Sequence, residues 1–158
     1  MPVVLITGAN RGLGLEFTRQ YAEAGWQVIA TCRDPDAATD LQALRTQHSR
    51  LEIEPLSVDD FVAIDALATR LAGRPIDVLL NNAGVFGPKP GADKDLRQNF
   101  GSMEYDIWAK VLRTNLMAPM KMAEAFVEHV AASAQKKIVA ISSTEGSSAS
   151  ARGGIHAY

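Results

Sequence analysis

The feature that most constrains this sequence is the regular exchange of short apolar runs for helical patterns. Residues 3–7, Val-Val-Leu-Ile-Thr, are apolar or β-branched without a break, as expected of a strand buried on both faces. Leu13, Phe17 and Tyr21 then recur at helical spacing, and Gly25 stops that helix. A second strand is predicted over 27–32, a helix over 36–47 with Leu41 and Leu44 inward, and a third strand over 51–56. The helix over 60–71 puts Phe61, Ile64, Ala68 and Leu71 on one face, and Gly73 and Pro75 close it. A fourth strand over 76–80 runs into Asn81-Asn82-Ala83-Gly84, followed by a Gly/Pro/Asp-rich loop to about residue 103. One long helix near 105–130 and a fifth strand over 137–142 complete the pattern. Strand and helix in this alternation argue for βαβ units: an α/β fold, a doubly wound parallel sheet with helices on both faces.

The 158 residues suit a single domain, 1–158, with no linker or repeat dividing it. At 47% hydrophobic and 22% charged, the chain has enough apolar side chain for a core, which excludes a disordered or low-complexity class. A net charge of −2 leaves no basic footprint for nucleic acid. Cys32 stands alone, so no internal disulfide forms and a reducing compartment is the natural setting. The opening apolar run is too short for a signal-peptide core or a membrane span and has no positive flank. A soluble cytoplasmic protein without a membrane partner is expected. His48, His129 and His156 are widely separated, and no Cys/His/Asp spacing suggests a metal site.

Between the first strand and the first helix lies Thr7-Gly8-Ala9-Asn10-Arg11-Gly12-Leu13-Gly14. The first N–H groups of a helix are unpaired and sit at the positive end of its dipole, so an anion is favoured there. Glycines at such a loop let a pyrophosphate approach the backbone and permit the dihedrals of the turn. The spacing is G-x-x-x-G-x-G, and it points to a Rossmann-type nucleotide site; a ligand-free glycine turn is the competing reading. Charge then bears on the cofactor. An NAD site usually has an acidic residue at the end of the second strand for the ribose 2′-hydroxyl. Here that strand ends Thr31-Cys32-Arg33, and Arg11 sits inside the glycine loop. Two guanidiniums favour a 2′-phosphate, which arginine binds with paired hydrogen bonds. NADP is therefore expected, with NAD as the alternative because Asp34 follows directly.

These residues together resemble the short-chain dehydrogenase/reductase family. Thr7-Gly8-x-x-x-Gly12-x-Gly14, Asn81-Asn82-Ala83-Gly84, Asn115 in the long helix, and Ser143 followed by Tyr158 appear in order, each on its expected element. The stretch from Ile141 through Ser147, with Gly153-Gly154 before Tyr158, is most similar to carbonyl reductases of the C-factor and sniffer type. The resemblance implies carbonyl–alcohol interconversion with a nicotinamide cofactor. It implies that Tyr158 protonates the carbonyl oxygen, Ser143 holds that oxygen by a hydrogen bond, and Asn115 anchors a water in a proton relay. Gly8, Asn10, Arg11, Gly12, Leu13, Gly14, Arg33, Val58, Asn82, Ala83 and Gly84 would bind the cofactor. A turn role for Asn82 and an exposed helix position for Asn115 are the structural alternatives. Family members often pair through the long helix, so a homo-oligomer is allowed.

Two departures stand out. The family often has an aspartate near the adenine after the third strand, where this chain has Ser57-Val58. The family also places a lysine four residues after the tyrosine, whereas this sequence stops at Tyr158. That lysine lowers the tyrosine pKa; without it the phenol stays near a pKa of roughly 10, still an acid for reduction but a poor base for oxidation. Weak chemistry is expected of the chain as written. An apolar fifth strand left as an open edge suggests the N-terminal part of a longer chain, lacking its C-terminal strands. The expected function is an NADP-dependent oxidoreductase acting on a small carbonyl or alcohol. The alternative is a catalytically weak nucleotide-binding regulatory or signalling protein. A methyltransferase on the same sheet is disfavoured, because residues 81–84 and the Ser/Tyr pair have no role there.

Overall fold

The computed structural model describes residues 1–87 and 104–143. Five strands, β1 (Val3–Thr7), β2 (Gln27–Cys32), β3 (Leu51–Pro55), β4 (Val78–Asn81) and β5 (Lys137–Ala140), form one sheet in the order β3-β2-β1-β4-β5. Each neighbouring pair is parallel. β1 is buried along its whole length, which is why it reads as a continuous apolar run rather than an alternating one. The helices are α1 (Gly12–Glu23), α2 (Thr39–Gln47), α3 (Phe61–Arg70), α4 (Tyr105–Leu112) and α5 (Ala118–Ala131).

Successive residues of a strand point to opposite faces, and the core divides accordingly. Val4, Ile6, Val28, Ala30 and Leu80 pack with Ala22, Leu41 and Leu44 of α1 and α2. Leu5, Ile29 and Leu79 pack on the other face with Ile64, Leu67, Met122 and Phe126 of α3 and α5. Each fully buried Val, Leu, Ile, Met or Phe side chain among them contributes about 1.5–3 kcal/mol. Beneath the sheet, the buried Asp77 carboxylate accepts from Val3 N at 2.8 Å and Gln135 N at 3.2 Å, tying the starts of β1, β4 and β5 together.

Several expectations are corrected. The second helix starts at Thr39 rather than at residue 36, because Asp34 Oδ1 accepts from Ala37 N at 3.1 Å and holds a turn there. The fourth strand is Val78–Asn81, and the fifth ends at Ala140. The single long helix is two, joined by a five-residue π-helical turn, Arg113–Met117. Leu13 is 62% exposed although it recurs with Phe17 and Tyr21 at helical spacing, and Met117 and Met120 are exposed whereas Met122 is buried. At the sheet edge, Ile138, Val139 and Ile141 are exposed in or just after β5. The Gly/Pro/Asp-rich loop and Tyr158 lie outside the described residues. Among the described residues no helix is long and apolar enough to cross a membrane, and no group of side chains is placed to hold a metal ion.

Candidate functional site

β1 has β2 on one side and β4 on the other, and the chain leaves it in opposite directions toward them. A parallel sheet opens a crevice at such a switch point, beyond the carboxyl ends of its strands. A cavity of about 540 Å³ lies there. Every residue singled out above as cofactor-binding lines it, from Gly8 through Gly14 (Ala9 apart) to Arg33, Val58 and Asn82–Gly84. The sequence reading missed Cys32, Leu56, Ser57, Asp59, Val85, Lys110 and Thr114, which complete the wall.

Hydrogen bonds from three parts of the chain hold the floor. Thr7 Oγ1 accepts from Asn82 N and Ala83 N, each at 3.0 Å. Asn82 Nδ2 donates to Thr7 O at 2.9 Å and Gly8 O at 3.2 Å. Asn82 is thus a clamp between the end of β4 and the glycine loop. The glycines are explained by this crowding. A Cβ on Gly14 would lie 2.2 Å from Gly8 O and 2.5 Å from Asn82 Nδ2. Gly8, at φ +68°, would put one 2.9 Å from Ala83 Cα.

Helix α1 begins at this floor. No side chain caps its N-terminus, and no acidic residue occupies its first turn. Its leading N–H groups are therefore available to an anion. Arg11 and Arg33 line the same cavity, and neither has an ion-pair partner among the described residues. Asp34, which made NAD an alternative, spends Oδ1 on its own turn and does not line the cavity. Arg11, Arg33 and Lys110 against Asp59 make a net +2 in a chain of net −2, so the cavity focuses positive potential. An open helix N-terminus, two guanidiniums without an ion pair among the described residues and a glycine-rich floor fit a dinucleotide phosphate.

On the far wall, Asn115 reaches back to the segment after β4. Its Oδ1 accepts from Val85 N at 2.9 Å and its Nδ2 donates to Val85 O at 2.8 Å. The π-helical turn presents this amide; an extra residue in the turn widens the helix locally. Thr114, Ala118, Met122, Phe126 and Val130 are buried at strict four-residue spacing. Asn115 itself does not line the cavity, whereas its partner Val85 does.

Ser143 follows β5 at the same carboxyl edge of the sheet, outside the cavity lining. Tyr158 is not among the described residues, so the expected Ser143–Tyr158–Asn115 set is placed only in part. Cys32, buried at the end of β2, has its thiol pushed up by burial, against a backbone hydrogen bond from Asp34. Asp59 is held below the usual carboxylate range by a hydrogen bond from Ser57, against partial desolvation, with Lys110 and Arg113 nearby.

Comparison with known proteins agrees with this geometry. The family model for short chain dehydrogenases matches residues 2–157. Protein FixR of Bradyrhizobium diazoefficiens is 33% identical over 92% of this chain and 51% of its own length. (+)-Neomenthol dehydrogenase of Arabidopsis thaliana is 32% identical over 90% of this chain and 53% of its own. The chain thus spans about half the length of the curated relatives it matches. Among solved structures, an NADPH-bound carbonyl reductase from chicken fatty liver superposes with a TM-score of 0.81 at 34% identity. The match covers 94% of this chain and 60% of that one.

Proposed function

We infer the function from one premise: this chain belongs to the short-chain dehydrogenase family. The reading best supported is an NADP(H)-binding oxidoreductase acting between a small carbonyl compound and its alcohol. What carries it is the pairing, at the sheet's switch point, of an open α1 N-terminus with two arginines that have no ion-pair partner among the described residues. In this reading the N–H groups of the Gly12–Gly14 turn hold the pyrophosphate, and Arg11 and Arg33 hold the 2′-phosphate. The Val58 backbone meets the base, and Asn10, Leu13 and the Asn82–Gly84 segment flank the riboses. NADP is preferred over NAD because no carboxylate on the cavity wall is positioned at the end of β2.

The cofactor, when bound, supplies the hydride. The chain's own residues supply orientation and a proton. Tyr158 gives its phenolic proton to the carbonyl oxygen, and Ser143 donates a hydrogen bond to that oxygen as negative charge builds on it. Asn115 fixes Val85, and so the shape of the wall beside the nicotinamide end; a water on its flank would link it to the proton path. The substrate class is a small aldehyde or ketone.

Titrating the purified chain with NADPH and NADH, read by nicotinamide fluorescence, tests this reading. NADPH should bind at least ~10-fold more tightly, consistent with a bidentate charged contact. Arg33→Ala should bring the two affinities together. Tighter binding of NADH, or an unchanged ratio in Arg33→Ala, would reject it. An NADPH-oxidation screen over aldehydes and ketones then asks for turnover. Binding without turnover would favour the nucleotide-binding regulatory alternative.

A further inference from the structure

We propose that Arg113 is a positioning residue: it braces the π-helical turn against the start of α3, and so keeps Asn115 turned toward Val85 on the cavity wall. Its effect on a ligand rests on the dinucleotide reading above; the brace itself does not. Three successive residues of the turn meet three parts of the domain. Arg113 Nε donates to Asp59 O at 2.7 Å, and its guanidinium lies 4.0 Å from the Phe61 ring centroid. Thr114 lines the cavity. Asn115 takes both backbone groups of Val85. The turn is thus tied on one side to the segment entering α3 and on the other to the segment leaving β4.

A tie matters here because the two helices joined by the turn are held unequally. α5 buries Ala118, Met122, Phe126 and Val130, whereas Val111 is the buried residue of α4. A π-helical turn holds one residue more than an α-helical one. Rewinding it to a regular helix would rotate the α4 side by about 100°, one residue's worth, because the α5 side is fixed in the core. Asn115 would swing off Val85 with it.

Arg113 stands at the first position of the turn and opposes that rotation twice over. Its hydrogen bond has an ionised donor, which makes it stronger than a neutral one. Its flat guanidinium lies against the first residue of α3, a cation–π contact that a rotated side chain would lose. Arg113 does not line the cavity, so it acts on a ligand only through Asn115 and Val85.

A double-mutant cycle on unfolding in urea tests the brace without any ligand. Arg113→Met, which keeps the stem over Phe61, should raise the unfolding constant ~10-fold in the wild type. In an Asn115→Ala background the same change should cost only ~2-fold, because a turn already released from Val85 no longer needs its other tie. Equal costs in the two backgrounds would overturn the brace, since two independent surface contacts would add. Binding carries the consequence to the cavity. Arg113→Met should weaken NADPH ~5-fold while moving 2′-phospho-ADP-ribose, which lacks the nicotinamide, by under ~2-fold. A loss shared equally by both ligands, or absent from both, would overturn the link to the Val85 wall. If the wild type binds neither ligand, the dinucleotide reading falls and the cycle still decides the brace.

Discussion

Replacing Gly14 by alanine should destabilise the fold through contact rather than through backbone conformation. Gly14 is buried inside α1, and an added Cβ would stand 2.2 Å from Gly8 O, 2.5 Å from Asn82 Nδ2 and 2.9 Å from Gly8 C. Two of those atoms are backbone at the end of β1, so the helix itself must withdraw. Overpacking of this kind costs about 1–3 kcal/mol. Withdrawal also strains the two hydrogen bonds of Asn82 Nδ2, at about 0.5–1.5 kcal/mol each. Alanine recovers about 1 kcal/mol of helix propensity, leaving a loss near 3 kcal/mol.

Gly12 is the control. Its φ is +55°, but nothing lies within 4 Å of a Cβ placed there. A left-handed conformation costs alanine about 1–2 kcal/mol, with no clash to add to it. Urea unfolding followed by tryptophan fluorescence should place the Gly14→Ala midpoint about 1–2 M below that of the wild type, with Gly12→Ala lowered by about half as much. Equal losses in the two variants would refute the reasoning, since glycine would then be serving the dihedral rather than the close approach.

Thr7→Val leaves the N–H groups of Asn82 and Ala83 without their acceptor and should cost about 2–4 kcal/mol in the same unfolding assay, whereas Thr7→Ser should recover most of it. Asn115→Ala should cost about 1–3 kcal/mol by orphaning Val85 N and O, and Asn115→Asp no less, because a carboxylate then faces the Val85 carbonyl; a neutral Asn115→Asp would contradict the two-way hydrogen bond. Glu52 lies below its usual range, first through hydrogen bonds from Arg74 and then, against desolvation, through Gln27. A lowered folded-state pKa gives stability that is complete above the unfolded value of 4.5 and lost as pH falls through the folded one. Arg74→Met should therefore flatten the acid-side decline in Tm between about pH 5 and 3, and an unchanged slope would exclude the pair as its source. Burial keeps the Cys32 thiol protonated, so iodoacetamide should label it slowly at pH 7, and more slowly still with NADPH in the cavity it lines.

Much of this protein was legible in the order of its residues. β1 and β2 match their expected bounds, because a strand buried on both faces carries its own signature in consecutive β-branched residues. The glycine loop was equally plain, since the need for a side-chain-free approach is met by residue type alone. Both are local demands.

What the chain could not announce is whatever depends on a partner far along it. Asn115 is the clearest case: a polar residue in a helix gives no hint that it binds Val85, thirty positions earlier, by both backbone groups. Thr7 likewise meets Asn82 and Ala83 only because β1 and β4 are neighbours in the sheet. Lys110 and Thr114 reach the cavity only because α4 and the π-helical turn flank it. Periodicity and residue type set which segments become strands and helices; crossovers of a parallel sheet decide which side chains meet, because each contact joins residues whose separation carries no local signal.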